Sequence, residues 1–149
     1  MIVTTDIGGV QFVVFSVNQQ LYSLSIKEVV EILRVPTITT IPGIDEMIEG
    51  VINLRGSIIP VVSLHKRFNL PIPTKHKKNR VVIVQGKNEN IGLMVEEVRM
   101  VTKFDETNVE PTPGQKLDED IFMGFAKEDG QVIGILNLEK VLYEKQQIG

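Results

Sequence analysis

Few residues of this chain have the type and spacing that catalysis or ligand binding would require. His65 and His76 are its only histidines, and neither has a carboxylate at metal-ligand spacing, so we expect both side chains to be solvated. The chain has no cysteine, which excludes thiol catalysis and disulfides and fits a reducing cytoplasm. It has no glycine-rich loop of the phosphate-binding kind and no serine nucleophile motif. The sequence therefore predicts a protein that is not an enzyme, with no catalytic, cofactor-binding or metal site.

The polar group best suited to recognition is Arg55, at the tip of a predicted hairpin. Within residues 50–64, apolar runs flank a polar stretch from Asn53 to Ser57. The guanidinium is a planar fork that matches a carboxylate on a partner. An ordinary solvent-exposed turn arginine is an equally good interpretation of the same residue.

This hairpin belongs to a segment that recurs in altered form. Residues 50–64 align with residues 124–138 at a constant offset of 74 (124 − 50). Upstream, residues 13–29 align in the same way with residues 81–98, at an offset of 68 rising to 69. Each copy is therefore predicted to contain a hairpin, an extended Val-rich segment, a second hairpin and a closing helix.

Local signals predict how the elements of each copy end. Asp129-Gly130 suits a tight primed turn, because glycine accepts a positive φ without strain. Ser63 can cap a helix over residues 64–68, and Asn137 can cap one that runs from residue 138 to about residue 146.

The spacing of strand and turn signals predicts the fold class. Runs of Val and Ile with regular turns favour small barrels over a helical bundle. Pro60 cannot donate to a strand ladder, so we expect it on an edge strand or at a bulge. We predict one domain over residues 1–149, with a first lobe at 10–70, a second lobe at 80–146 and a connecting loop at 70–79.

Composition limits the classes of function. The chain has 149 residues, of which 42% are hydrophobic, enough for a packed core. A net charge of −3 gives no general attraction to nucleic acid or to acidic membranes. No apolar stretch reaches the ~20 residues of a membrane helix, and no secretory signal pattern is visible. These features predict a cytoplasmic protein without direct membrane insertion.

The basic run from Lys75 to Arg80 allows one alternative function, which is the binding of single-stranded nucleic acid by a small barrel. Such barrels combine positive charge with aromatic side chains on which bases stack. Aromatic residues make up only 5% of this chain, and tryptophan is absent. A solvated loop between the lobes is therefore the favoured interpretation, and we expect no nucleic-acid partner.

A second candidate surface follows the first hairpin of each copy. Residues 29–32 and 98–101 are rich in apolar side chains. Duplicated lobes leave a groove between them that these segments could line, and such a groove can bind a helix. For each of Val29, Ile32, Val98 and Val101 taken singly, burial in the core is the favoured alternative.

The hairpin from Gly50 to Val62 resembles the signature hairpin of the CheW family of bacterial chemotaxis coupling proteins. Residues 28–32 and 92–95 also match the family in order and spacing, and the resemblance extends from about Val10 to about Leu142. It implies a mainly β fold of two intertwined five-stranded SH3-like barrels from an internal duplication, with short helices and a C-terminal helix.

The resemblance also implies a function in signal transduction. Family members are non-catalytic cytoplasmic adaptors that join methyl-accepting chemoreceptors to the histidine kinase CheA, and they are recruited to membrane-bound receptor arrays. The regulatory domain of the kinase has the same two-barrel fold, so the two are expected to pack barrel against barrel. The cytoplasmic tip of the receptor, a helical hairpin, is expected in the groove between the lobes. No cofactor is implied.

The resemblance assigns receptor-binding residues one by one. Two charged positions match family positions implicated in receptor coupling, three valines match positions on the receptor side of the groove, and two glycines match positions where a side chain would crowd a contact surface. In this order they are Glu31 and Arg55, then Val29, Val98 and Val101, then Gly50 and Gly92.

Overall fold

The computed structural model describes residues 9–111 and 121–143. Over these ranges the chain forms eleven β-strands, two short α-helices and two turns of 3-10 helix, at Ile26–Glu28 and Glu106–Asn108. The other elements are β1 (Gln11–Val17), β2 (Gln20–Ser25), β3 (Val29–Arg34), β4 (Ile48–Leu54), β5 (Ser57–Ser63), α1 (Leu64–Arg67), β6 (Arg80–Gln85), β7 (Asn90–Val95), β8 (Glu97–Lys103), β9 (Val109–Glu110), β10 (Phe122–Glu128), β11 (Gln131–Leu136) and α2 (Leu138–Tyr143).

The strands form two sheets, which confirms the predicted mainly β fold. One sheet has five strands in the order β3-β6-β7-β5-β4, and the other has six in the order β8-β1-β2-β11-β10-β9. The larger sheet exceeds the five strands of the prediction by its edge strand β9, which is two residues long.

The sequence repeat is preserved in the backbone. The turns Arg55–Gly56 and Asp129–Gly130 have positive φ at both residues, 50° and 89° in the first and 49° and 77° in the second, as a primed hairpin turn requires. Register shifts lie between Ile48 and Gly50 and between Phe122 and Gly124, at equivalent places in the repeat. The second hairpin of each copy is therefore the same structure, bulge included.

The two copies exchange hairpins. Strand β5 of the first copy pairs in parallel with β7 of the second, and β11 of the second copy pairs in parallel with β2 of the first. Strand β3 of the first copy also pairs with β6 of the second. Each sheet thus takes strands from both copies, which confirms the predicted intertwining of two SH3-like barrels.

This pairing divides the chain into two compact units. The Arg55 unit, named after its hairpin tip, consists of Phe15–Gln20 and Lys27–Arg99, and the Asp129 unit consists of the described parts of Met1–Val14, Leu21–Ile26 and Met100–Gly149. The lobes predicted at 10–70 and 80–146 follow the sequence repeat, whereas these units follow the exchange of hairpins.

Each unit has its own apolar core, which burial of branched side chains stabilises. The core of the Arg55 unit is formed by Ile52, Ile59, Val61, Val81 and Ile83. That of the Asp129 unit is formed by Phe12, Val14, Leu21, Phe104, Val109, Ala126, Ile133 and Ile135.

Both helices begin at the predicted caps. The Ser63 hydroxyl accepts a hydrogen bond from the N–H of Lys66 at 3.2 Å and begins α1. Asn137 Oδ1 accepts from the N–H of Lys140 at 3.3 Å and begins α2. The predicted continuation of this helix to about residue 146 lies outside the described residues.

Pro60 does not lie on an edge strand, because β5 is flanked by β4 and β7. It faces Val51 on β4, but Val51 exchanges both backbone hydrogen bonds with Thr39, at 2.9 Å each. Parallel pairing with β7 begins only at Val61. An N–H at position 60 would therefore have no acceptor on either neighbouring strand, so proline loses no hydrogen bond there. The position lies next to the register shift in β4.

Candidate interaction site at the Arg55 hairpin

The β4–β5 hairpin holds Arg55 in a fixed turn. Asn53 Oδ1 accepts a hydrogen bond from the N–H of Gly56 at 3.0 Å, which closes the tip from the side chain as asparagine commonly does in turns. Arg55 itself has a φ of 50°, a conformation that costs energy for a residue with a Cβ. The tip is thus a defined platform for the guanidinium.

Arg55 forms an ion pair with Glu31 within the same unit. Arg55 Nη2 donates to Glu31 Oε1, and the two side chains are 70% and 26% exposed. Glu31 lies on β3 at one edge of the five-stranded sheet, and Arg55 follows β4 at the other edge. The hydrogen bond to Glu31 and its negative charge raise the pKa of Arg55, so the guanidinium stays charged at physiological pH.

Exposed apolar side chains neighbour this ion pair in sequence. Val30 and Ile32 flank Glu31 and are 52% and 39% exposed, and Ile58, three residues after Arg55, is 64% exposed. A register shift between Val29 and Glu31 interrupts the pairing of β3 with β6, and Val30 lies in that interruption. We name these residues the tip site: Val30, Glu31, Ile32, Arg55 and Ile58.

The structure thus brings together the two charged residues that the sequence singled out, and it shows that Ile58, which the sequence had not singled out, is exposed. The repeat carries a signal for Ile58. Its equivalent in the second hairpin is Val132, which is 58% exposed. A β-branched residue at the same exposed position of both hairpins is a pattern that the aligned copies already contain.

The three predicted valines differ in exposure and in the unit to which they belong. Val29 is half-buried at the start of β3, beside the tip site. Val98 is half-buried and Val101 is 46% exposed, both on β8. Val98 belongs to the Arg55 unit and Val101 to the Asp129 unit.

The two predicted glycines lie inside the Arg55 unit. A Cβ at Gly50 would overlap the carbonyl oxygen of Thr39 and would lie 2.7 Å from Ile38 Cγ2. A Cβ at Gly92 would lie 2.7 Å from Val81 Cγ1. Real Cβ atoms do not approach other heavy atoms so closely, so a side chain at either position would displace the protein's own core before it reached a partner.

His65 is buried, and the prediction of a solvated side chain is wrong. It is 4% exposed on α1, and its Nε2 lies 2.6 Å from Glu96 Oε2. The same carboxylate oxygen accepts a hydrogen bond from the N–H of Asn18 at 2.8 Å. A carboxylate distant in sequence therefore gives the imidazole the partner that burial requires.

Glu96 also bonds through its backbone. Its N–H donates to the carbonyl of Ser16 at 3.0 Å, and its carbonyl accepts from Asn79 Nδ2 at 3.0 Å. Burial alone raises the pKa of the Glu96 carboxyl, but hydrogen bonds from His65 and from the Asn18 N–H, together with the charge of His65, lower it below its ordinary value. Glu96 is thus a structural junction of the Arg55 unit.

The described residues, 9–111 and 121–143, contain no group of three or more His, Asp or Glu side chains placed to hold a metal ion. None of their helices is long and apolar enough to cross a membrane.

Comparison with known proteins identifies relatives over most of the chain. The model of a family described as CheW-like domain matches residues 11–146. The chemotaxis protein CheW of Bacillus subtilis (strain 168) is 32% identical over 136 residues, which cover 90% of this chain and 87% of that protein. The chemotaxis protein CheW of Thermotoga maritima is 30% identical over 135 residues, or 87% of this chain and 85% of that protein.

A solved structure agrees with the same fold. The crystal structure of the scaffolding protein TtCheW from Thermoanaerobacter tengcongensis superposes with a TM-score of 0.83 at 38% sequence identity. The superposition covers 93% of this chain and 97% of that one.

Proposed function

This chain belongs to the CheW family, and we propose that it is a non-catalytic adaptor that couples methyl-accepting chemoreceptors to the histidine kinase CheA. The observation that carries the proposal is the Glu31–Arg55 ion pair. It joins two residues that the family resemblance assigns to receptor coupling. Support for a scaffolding role comes from the names and the structure of the relatives.

The tip site has the chemistry of a surface that binds a helix. Arg55 has five N–H donors, and Glu31 has two acceptor oxygens. One donor and one acceptor are used between them, so both can also bond to polar groups of a partner. Val30, Ile32 and Ile58, which are near these two residues in sequence, are exposed apolar side chains of the kind that a helix-binding groove uses.

The cytoplasmic tip of the receptor is the partner proposed for this site. Val29, Val98 and Val101 are proposed to extend the receptor surface. Gly50 and Gly92 are proposed to contribute through packing, because each lies against the protein's own chain.

The kinase is the second proposed partner, through its regulatory domain, which has the two-barrel fold of this family. We propose that the adaptor acts in the cytoplasm, is recruited by these two partners to membrane-bound receptor arrays, and needs no cofactor.

Charge reversal at the tip tests the receptor half of the proposal. In reconstituted receptor–kinase–adaptor assemblies, Arg55→Glu and Glu31→Arg should each lower receptor-dependent kinase control about tenfold or more, because each places two like charges together at the contact. The matched control is Asp129→Lys, which reverses the charge at the equivalent tip of the other hairpin. Unchanged receptor-dependent kinase control with Arg55→Glu would show that the residue is not needed for coupling. An Arg55→Glu protein that is unfolded by circular dichroism would show that the residue is structural.

Calorimetry tests the kinase half separately. The adaptor should bind the regulatory domain of the kinase from the same organism with one-to-one saturation at physiological salt. Arg55→Glu should leave that binding unchanged, because its proposed role is at the receptor. Absence of binding by the folded protein would contradict the kinase partner and leave the family membership intact.

A further inference from the structure

The basic run between α1 and β6 is an ordered turn. The N–H of His76 donates to Asn79 Oδ1 at 2.8 Å, and the N–H of Asn79 donates back to the carbonyl of His76 at 3.0 Å. The N–H of Lys78 donates to His76 Nδ1 at 3.0 Å. Asn79 Nδ2 also ties the turn to the carbonyl of Glu96. The backbone that carries Lys77 and Lys78 is therefore fixed before any partner binds.

Arg80 extends this positive charge onto the sheet. Its Nη1 donates to the carbonyls of Lys77 and Asn79, at 2.9 and 2.8 Å. Arg80 is also the direct cross-strand partner of Arg34 on β3. Two like charges directly opposite each other in a sheet are destabilising, so the pair would be stabilised by an anion.

One carboxylate offsets part of the charge. Glu97 contacts Lys78 at 3.9 Å and Arg99 at 3.3 Å. Among the residues that the structure describes, no acidic side chain forms an ion pair with the remaining cations. We name the whole set the basic patch: Arg34, Lys75, Lys77, Lys78, Arg80 and Arg99.

The patch stands out against the charge of the whole chain. The net charge is −3, yet all six cations belong to the Arg55 unit, and Glu97 is the one acid bonded to them in the described residues. We propose that the basic patch binds an acidic, extended segment of a partner protein through its Asp and Glu side chains.

The chemistry of the patch favours carboxylates on a flexible chain. Arginine forks match carboxylates in a bidentate geometry, and the fixed turn reduces the entropy that binding would cost. The cations run from the exposed lysines of the turn to the half-buried Arg80 and on to Arg34 at the end of an edge strand. An extended peptide can follow that course.

Two other polyanions fit less well. Single-stranded nucleic acid needs aromatic platforms for its bases, and no Phe, Tyr or Trp occurs from residue 70 to residue 103. A bilayer is a flat surface that would meet the projecting lysines and miss Arg80, whose side chain is tied back to the turn. These alternatives are outcomes of the test below.

The experiment is binding of a fluorescein-labelled decaglutamate peptide to the full chain, followed by anisotropy. A variant with Lys75→Gln, Lys77→Gln and Lys78→Gln should bind about tenfold more weakly, since three exposed charge pairs are lost. A control with Lys87→Gln, Lys103→Gln and Lys127→Gln loses the same net charge at lysines that do not belong to the patch and should stay within about twofold. The patch variant should remain folded, because the turn is held by backbone, His76, Asn79 and Arg80 groups, and circular dichroism checks the fold of both variants.

Several results would overturn the proposal. One is no saturable binding of decaglutamate at low salt. Another is an equal loss in both triple variants, which would mean that only net charge matters. A third is tighter binding, through the same three lysines, to phosphatidylserine–phosphatidylcholine vesicles or to oligodeoxythymidine. Because the purified chain is used without receptor or kinase, the result is independent of the adaptor proposal.

Discussion

Glu96 bonds to His65 across 31 positions of sequence, with 2.6 Å between Oε2 and Nε2. Through this contact and the N–H of Asn18, one carboxylate joins α1, the β1–β2 turn and the junction of β7 with β8. The Arg55 unit is thus held together by a polar junction as well as by its apolar core.

Replacing Glu96 with alanine should destabilise the protein by about 1–3 kcal/mol, because His65 and the Asn18 N–H lose their partner. Urea unfolding followed by circular dichroism measures the free energy of unfolding. The control is Glu97→Ala, whose carboxylate contacts only partly exposed cations and should matter by less than about 1 kcal/mol. Equal losses in the two variants would contradict a special role for Glu96.

The same junction predicts a dependence on pH. The pKa of Glu96 is lowered in the folded protein from its ordinary value of 4.5, so its ionised form stabilises the fold above that value, and this contribution is lost as pH falls through the lowered folded pKa. The difference in unfolding free energy between the native protein and Glu96→Gln should therefore shrink in acid. A difference that stays constant from neutral pH down to acid would contradict this assignment.

Gly92→Ala should destabilise the Arg55 unit by about 1–3 kcal/mol through overpacking. Its new Cβ would lie 2.7 Å from Val81 Cγ1. Thermal and urea unfolding measure the loss. The double variant Gly92→Ala with Val81→Ala removes the overlapping methyl group, so it should lose less than the sum of the two single changes. Strict additivity would show that the predicted overlap is absent.

Asn53→Ala should remove the hydrogen bond that closes the turn beside Arg55, at a cost of about 0.5–1.5 kcal/mol. It should also weaken receptor-dependent kinase control, because the turn that positions the Arg55 side chain is then less rigid. A double-mutant cycle with Arg55→Ala measures the coupling between the two positions. Independent effects on kinase control would indicate that Asn53 stabilises the turn without positioning Arg55.

Features coded within a few residues could be predicted from the sequence. The primed turn at Asp129-Gly130, the caps at Ser63 and Asn137 and the repeat itself each depend on local residue types, and each lies where the pattern indicated. The exchange of hairpins between the copies could be predicted only from the family resemblance, because the pairing of β5 with β7 joins strands far apart in sequence.

The wrong prediction for His65 and the incomplete ones for Pro60 and Arg55 have the same physical origin, which is contact between residues that are not neighbours in sequence. His65 was expected in solvent because no acid lies near it in sequence, and its partner Glu96 comes from another hairpin. Pro60 was expected at an edge or a bulge, and its tolerance on an inner strand depends on the bonds between Val51 and Thr39. The sequence allowed two interpretations of Arg55, a residue that binds a carboxylate of a partner and an ordinary exposed turn residue. In the structure its guanidinium binds the carboxylate of Glu31 in its own unit.

The exchange of hairpins has a consequence for the origin of this fold. In the repeat, β11 is the counterpart of β5 and β7 is the counterpart of β2, so the two parallel contacts between the copies, β5 with β7 and β11 with β2, join the same pair of equivalent strands. A single half can form that contact within itself or with an identical molecule. Joining two halves in one chain makes the exchanged arrangement unimolecular, so its formation does not depend on concentration as it does between separate molecules. Each half can then diverge separately, and the two equivalent hairpin tips carry an arginine and an aspartate.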